Sequence, residues 1–297
     1  MTVFFLVRLI PGSILDMMST EWEQVTQMDR EAIEKALGLD QPIHVQYGRW
    51  LRDIVVHGSL GTSLWKGTPV SREIVDRLQV TVELGIMAII VAQLIAIPIG
   101  VYSAIRQDTV GDYIGRSFAI ICLAVPGFWV GTMVMVFPAL WWGWSPPVKL
   151  IQFTKDPLGN LGMFIIPAVV MGLHMSGTTM RMTRTMMLEV LRNDYIRTAW
   201  SKGLKERVVV MRHALKNALI PVITIVGMQM PLLLGGAVIT EQIFCLPGIG
   251  RLMLDAVNTR DYPIVTGVML MMACFILVMN LTVDVTYSFL DPRVKFE

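Results

Sequence analysis

The side chains best equipped for metal, thiol or acid–base chemistry are few and scattered. Cys122, Cys245 and Cys274 show no CxxC or metal spacing, and two of them fall in long apolar runs. Thiols there pack as small hydrophobes, and no disulfide framework follows. The histidines, His44, His57, His174 and His213, are too far apart in sequence to suggest a metal site. No GxxxxGK[S/T] phosphate loop occurs, so that nucleotide-binding signature is not among the candidates. A membrane enzyme would want a His/Asp/Glu or Ser-based cluster at one depth, and none stands out. The methionine-rich runs MRMTRTMML and VMLMMACF are read as adaptable packing.

Polar residues within the apolar runs are the next candidates: Glu83, Gln93, Arg116, His174, Gln229, Asn280 and Asp284. Glu83, Arg116 and Asp284 lie close enough to run ends to reach an interface. His174 and Gln229 do not, which makes them the candidates for lining a polar pathway. The densest charge lies elsewhere. From Arg181 to Lys216 there are nine Lys/Arg against three Asp/Glu, whereas from Pro11 to Val80 there are seven against ten.

The elements that must position these residues are membrane helices. Of 297 residues 54% are hydrophobic and 16% charged, with a mean hydropathy of +0.59, outside the usual range of soluble domains. Spans are expected over 80–105, 115–138, 162–181, 218–240 and 264–289. The opening MTVFFLVRLIPG supplies only about 15 Å of apolar helix before Pro11 and Gly12. It is expected to be the remnant of a truncated first span, the rival being a signal peptide that lacks a basic n-region and a cleavage site.

The positive-inside bias puts 181–217 in the cytoplasm. The order is then a remnant span over 1–10, an extracytoplasmic segment over 11–79, a five-span core over 80–290 that includes a cytoplasmic loop over 182–217, and a cytoplasmic tail over 291–297. In the outer segment one helix is expected around Ile33, Ala36 and Leu37, ending at Gly38. A second, carrying Tyr47, Trp50, Leu51 and Ile54, either lies on the membrane face or packs as a small cap. Trp141, Trp142 and Trp144 read as an interfacial belt. Pro98, Pro126, Pro138, Pro167, Pro221 and Pro231 punctuate the spans, which favours a bundle with a pathway.

Within the basic loop Asp194 is expected to cap a short helix, Gly203 to turn the chain, and a second helix to run into the next span near Pro221. A rigid protrusion of that kind suits docking of a partner; an anchor that merely sets topology is the alternative. The residues carry a resemblance. YIRTAWSKG and RHALKNALIP resemble the cytoplasmic EAA loop of permeases from binding-protein-dependent ABC importers, and specifically the dipeptide/oligopeptide/nickel permease branch. Trp200 stands where a small residue is usual and Lys216 where many relatives have proline. LGLDQP, GSLGTSLWKGTPV, VPGFWVG, FCLPGIGRLMLDAVNTRDYP and NLTVDVTYSFLDPRV also resemble strings of that branch, so the likeness runs over nearly the whole chain.

The resemblance implies an all-α polytopic membrane protein, a six-span type I ABC importer permease in a prokaryotic cell membrane. It would be non-catalytic and without a cofactor of its own, ATP and Mg being bound by partner subunits. It implies pairing with a second, related permease, two cytoplasmic ATPases, an extracytoplasmic substrate-binding protein and lipid, and no nucleic acid. Tyr195, Arg197, Thr198, Ala199, Lys202, Gly203 and Leu204 would form the ATPase-coupling helix and its corner. Peptides are the expected solute, with nickel or another small solute as the alternative. A secondary transporter is the competing class, against which stand the lack of an inverted repeat and of a buried carboxylate pair.

Overall fold

The computed structural model describes residues 4–5, 35, 40–145 and 150–290. Most of the remnant span over 1–10, the helix expected around Ile33, Ala36 and Leu37, and the tail 291–297 lie outside the described residues. Among the described residues the fold is all-α, with one isolated bridge, Thr62 to Pro69. In chain order the helices are α1 (Ile43–His57), α2 (Val70–Ile105), α3 (Val110–Ala124), α4 (Gly127–Trp142), α5 (Pro157–Leu191), α6 (Asp194–Ser201), α7 (Glu206–Val208), a π-helical stretch Val209–Ala214, α8 (Leu215–Ile243), α9 (Ile249–Asn258) and α10 (Tyr262–Leu290).

Four helical segments are long and apolar enough to cross a membrane: Val70–Ile105, Pro157–Leu191, Glu206–Pro231 and Tyr262–Val283. The α3–α4 pair is a fifth if counted as one broken span, because the two helices meet at 90°. The span expected over 115–138 is thus interrupted, at Pro126, one of the prolines read as punctuating the spans. Val125 is extended, at φ −83° and ψ 123°, as the residue before a proline prefers, and Pro126 lacks the N–H that would continue the ladder. Pro98, Pro138, Pro167, Pro221 and Pro231 stay inside helices.

Contacts divide the chain into two compact units, one of residues up to Val80 with Pro247–Cys274, the other of Thr81–Leu246 with the residues from Phe275 on. In the first, Val70, Ile74, Ile249, Leu252, Ala256, Ile264, Val265 and Val268 form the core. Gly267 lets α10 approach α2, since a Cβ there would fall 2.6 Å from Val70 Cγ1. Asp261 is buried and accepts the Ser63 hydroxyl proton at 2.5 Å, while Trp65 Nε1–H donates to the Thr259 carbonyl at 2.8 Å. Tyr47 and Trp50 of α1 pack their rings on Phe4, with centroids 5.2 and 5.4 Å apart.

In the second unit, helices approach through small residues, as membrane helices do when van der Waals packing rather than hydrophobicity must hold them. A Cβ on Gly100 of α2 would fall 2.9 Å from the Met180 carbonyl oxygen of α5, and one on Gly177 of α5 would fall 2.9 Å from the Ala119 carbonyl oxygen of α3. α3 starts at Thr109, whose hydroxyl accepts the Asp112 N–H, and α5 at Asp156, whose carboxylate accepts the Gly159 N–H with Pro157 in the first turn. These are ordinary side-chain caps for orphan N–H groups.

Candidate functional site

The stretch 182–217, expected to hold a short helix, a glycine turn and a second helix, is largely helix. α5 runs to Leu191, and from Glu206 the chain is helical into α8. Between them sits α6. Its N-cap is Asn193 rather than Asp194; Asp194 occupies the first turn and pairs with Arg197 at 3.3 Å, an exposed pair worth little. The inner face is set by an i, i+3 spacing: Ile196 and Ala199 are buried in a core with Val101 and Ala104 of α2, Met187 of α5, and Val209, Val210, Ala214 and Ala218 beyond the turn. Tyr195, Arg197, Thr198, Trp200 and Lys202 are exposed. Ala199 thus belongs to the seat of the helix and not to its outer surface.

α6 ends in a Schellman motif: the Gly203 N–H donates to the Trp200 carbonyl at 2.9 Å and the Leu204 N–H to the Ala199 carbonyl at 3.4 Å. The motif needs a left-handed residue, and Gly203 has φ +75°. Beyond it, Glu206 pairs with Arg106 at the end of α2 at 3.4 Å. The π-helical stretch Val209–Ala214 then re-registers the chain before α8; π segments are uncommon and often mark functional positions.

Beside this seat lies an ion pair. Arg184 of α5 donates from Nε to Asp112 Oδ1 at 2.9 Å and from Nη2 to Oδ2 at 2.8 Å, a fork-on-carboxylate geometry. Asp112 is completely buried, and it also accepts the Ser103 hydroxyl proton from α2 and the Asp108 N–H.

His174 and Gln229 line one cavity of about 690 Å³ together with Gly127, Phe128, Met171, Thr178 and other residues of α4, α5 and α8. Gln229 is 9% exposed and its Oε1 has no hydrogen-bond partner among the described residues. A buried carbonyl oxygen left unpaired costs roughly 1–3 kcal/mol, so this one stands ready for a donor.

The residue types alone do not mark Asp112 as the partner of Arg184, because 72 residues separate them. Glu241 falls just past the expected span end, yet it is completely buried and accepts the Thr81 hydroxyl proton at 2.5 Å. Arg184 carried a signal only as one of nine basic residues. Among the described residues no three His, Cys, Asp or Glu come together in a way that could hold a metal ion.

Residues 96–296 match the family described as binding-protein-dependent transport system inner membrane component, and residues 1–85 match the N-terminal family of the same membrane components. A dipeptide transport system permease protein, DppB, of Alkalihalophilus pseudofirmus is 38% identical over 314 residues, covering 99% of this chain and 93% of the relative. The DppB of Escherichia coli K12 is 38% identical over 315 residues, covering 98% and 92%. Among solved structures, an amino acid ABC transporter crystallised with histidines shares the fold at a TM-score of 0.55 and 14% identity, over 75% of this chain and 95% of that one.

Proposed function

This chain belongs to the family of binding-protein-dependent transport system inner membrane components, and we propose that it forms half of a peptide translocation pathway with α6 as the element its ATPases displace. It is a permease subunit of an ABC importer, and ATP hydrolysis belongs to a separate subunit. The family description entails a substrate-binding protein and other ABC subunits as partners. On our reading the assembly is a second, related permease with two cytoplasmic ATPases, and the basic face carrying α6 lies in the cytoplasm together with the C-terminus. The charge asymmetry supports that orientation.

The observation that carries the reading is the division of α6 into a buried face and an exposed one. Ile196 and Ala199 fix the helix to its own subunit, while Arg197, Thr198, Trp200 and Lys202, with the outer side of the Tyr195 ring, are exposed to a partner groove. A displacement is transmitted only through an element that is itself rigid and seated, and the Schellman stop at Gly203 together with the core contacts supplies both.

The peptide reading draws on the dipeptide permeases above and on the chemistry of the cavity. Its size lies in the range of small-molecule sites. Its wall is mainly apolar, with polar groups from His174, Thr178, Gln229 and Thr240. Such a wall tolerates varied side chains while offering hydrogen bonds to peptide amides.

The test is co-purification with the ATPases, wild type against Gly203→Pro. Proline cannot adopt φ +75° and lacks the N–H that closes onto Trp200. The expected result is a variant that reaches the membrane and loses the ATPase. Full retention of ATPase and of dipeptide import by Gly203→Pro would exclude α6 as the docking element.

A further inference from the structure

The Asp112 carboxylate is satisfied from several segments at once. Two donors come from Arg184 on α5, one from Ser103 on α2, and one from the Asp108 N–H in the turn before α3, while Asp112 itself sits in the first turn of α3. A buried ion pair is a poor device for stability alone, because apolar residues of the same volume often serve as well. A forked guanidinium on a carboxylate does something else: it fixes both the distance and the plane of approach.

Two further features place this clasp in a mechanical line. The seat of α6 is built on the same helix ends, with Val101 and Ala104 flanking Ser103 on α2 and Met187 one turn past Arg184 on α5. At the other end, α3 leads through the Val125–Pro126 break into α4, whose first residues, Gly127 and Phe128, line the cavity of His174 and Gln229. Between clasp and break there is little room to slide, since Gly177 of α5 lies against the Ala119 backbone and the Leu123 side chain of α3.

We propose that Asp112 and Arg184 are positioning residues for energy coupling, locking the start of α3 to the helix ends on which α6 is seated, so that displacement of α6 moves the bent α3–α4 pair at the cavity. The proposal rests on the reading of α6 as the docking element. Without the clasp, motion of α6 dissipates in side-chain packing around its seat. ATP is then hydrolysed with fewer solutes moved.

The experiment uses the full complex in proteoliposomes, with binding protein and a radiolabelled dipeptide, and reads two quantities: ATPase retained, and ATP hydrolysed per dipeptide imported. Arg184→Lys keeps the charge and removes the fork; Asp112→Asn with Arg184→Gln removes both charges together. The expected result is unchanged ATPase retention with the ATP-to-dipeptide ratio raised about 5-fold or more, the lower end of ordinary coupling energies. A merely structural role would lower retention and import together and leave the ratio alone. An unchanged ratio in Arg184→Lys overturns the proposal. Should neither variant accumulate, Asp112→Glu, which keeps both charges and changes the reach of the fork, decides by the same ratio. A wild-type complex that retains no ATPase instead sinks the docking reading, and this proposal with it.

Discussion

The Asn217 side-chain amide donates to the Tyr195 hydroxyl at 2.8 Å, tying the first turn of α6 to the first turn of α8. The same amide nitrogen reaches the His213 carbonyl at 3.3 Å, so the tie ends on the π-helical stretch that precedes α8. α6 and α8 are thereby joined by a polar contact as well as by the core beneath.

Tyr195→Phe removes that contact and little else. A neutral hydrogen bond of this kind contributes about 0.5–1.5 kcal/mol. Amide hydrogen exchange across residues 194–202 is expected to accelerate up to about 10-fold, with exchange in α5 unchanged. Equal acceleration in both would show that the contact does not act on α6.

Ile196→Ala and Arg197→Ala separate the two faces of α6. Ile196 is fully buried, and its truncation is expected to cost about 2–4 kcal/mol and lower the Tm of the purified subunit. The Arg197 side chain is 74% exposed, so its loss leaves Tm where it was. It is nonetheless expected to weaken ATPase binding, as is Trp200→Ala, because Arg and Trp are the residues that most often anchor interfaces. Scanning calorimetry and ATPase pull-down on the same preparations check both statements.

Gly203→Ala is a milder probe of the corner than proline. A Cβ there meets nothing within 4 Å, so the whole effect is the left-handed backbone, about 1–2 kcal/mol. ATPase retention is expected to fall partially, and to be restored by Gly203→Asn, since asparagine tolerates that conformation.

Gln229→Met tests the cavity. Methionine fills a similar volume and removes the unpaired Oε1, so stability is expected to hold or to rise by roughly 1 kcal/mol. Dipeptide import is expected to fall, because the acceptor offered to the solute is gone. Thermal unfolding and uptake measured side by side decide the matter; unchanged uptake would remove Gln229 from the pathway.

Ser63→Ala acts in the other compact unit. The Ser63 hydroxyl donates to buried Asp261 and accepts the Lys66 N–H at 3.1 Å, closing the turn between Gly61 and Pro69. Its loss is expected to cost about 1–3 kcal/mol. Limited proteolysis should cut near Lys66 faster than in wild type.

The helical class and the stretches that cross a membrane were legible because they depend on local runs: 18 or so apolar residues can only be a span. The corner at Gly203 was legible for the same reason, as a left-handed stop is written in one residue. The α3–α4 break was only half legible. Six prolines looked alike in sequence, and five are absorbed within helices. Pro126 differs because Val125 before it is extended and Gly127 after it begins a new helix at 90°.

By itself, then, the sequence determined that this chain is helical and carries stretches able to span a membrane, and that its densest basic charge falls between Arg181 and Lys216 with a short helix and a glycine stop inside it, since each follows from composition or residue type along a continuous stretch. Tertiary structure decided which face of α6 is free, that Ala199 belongs to its seat, that His174 and Gln229 share one cavity, and that Asp112 meets Arg184. Those facts are pairings between helices. A buried carboxylate shows its need for a partner only once the packing of other helices has taken water away from it.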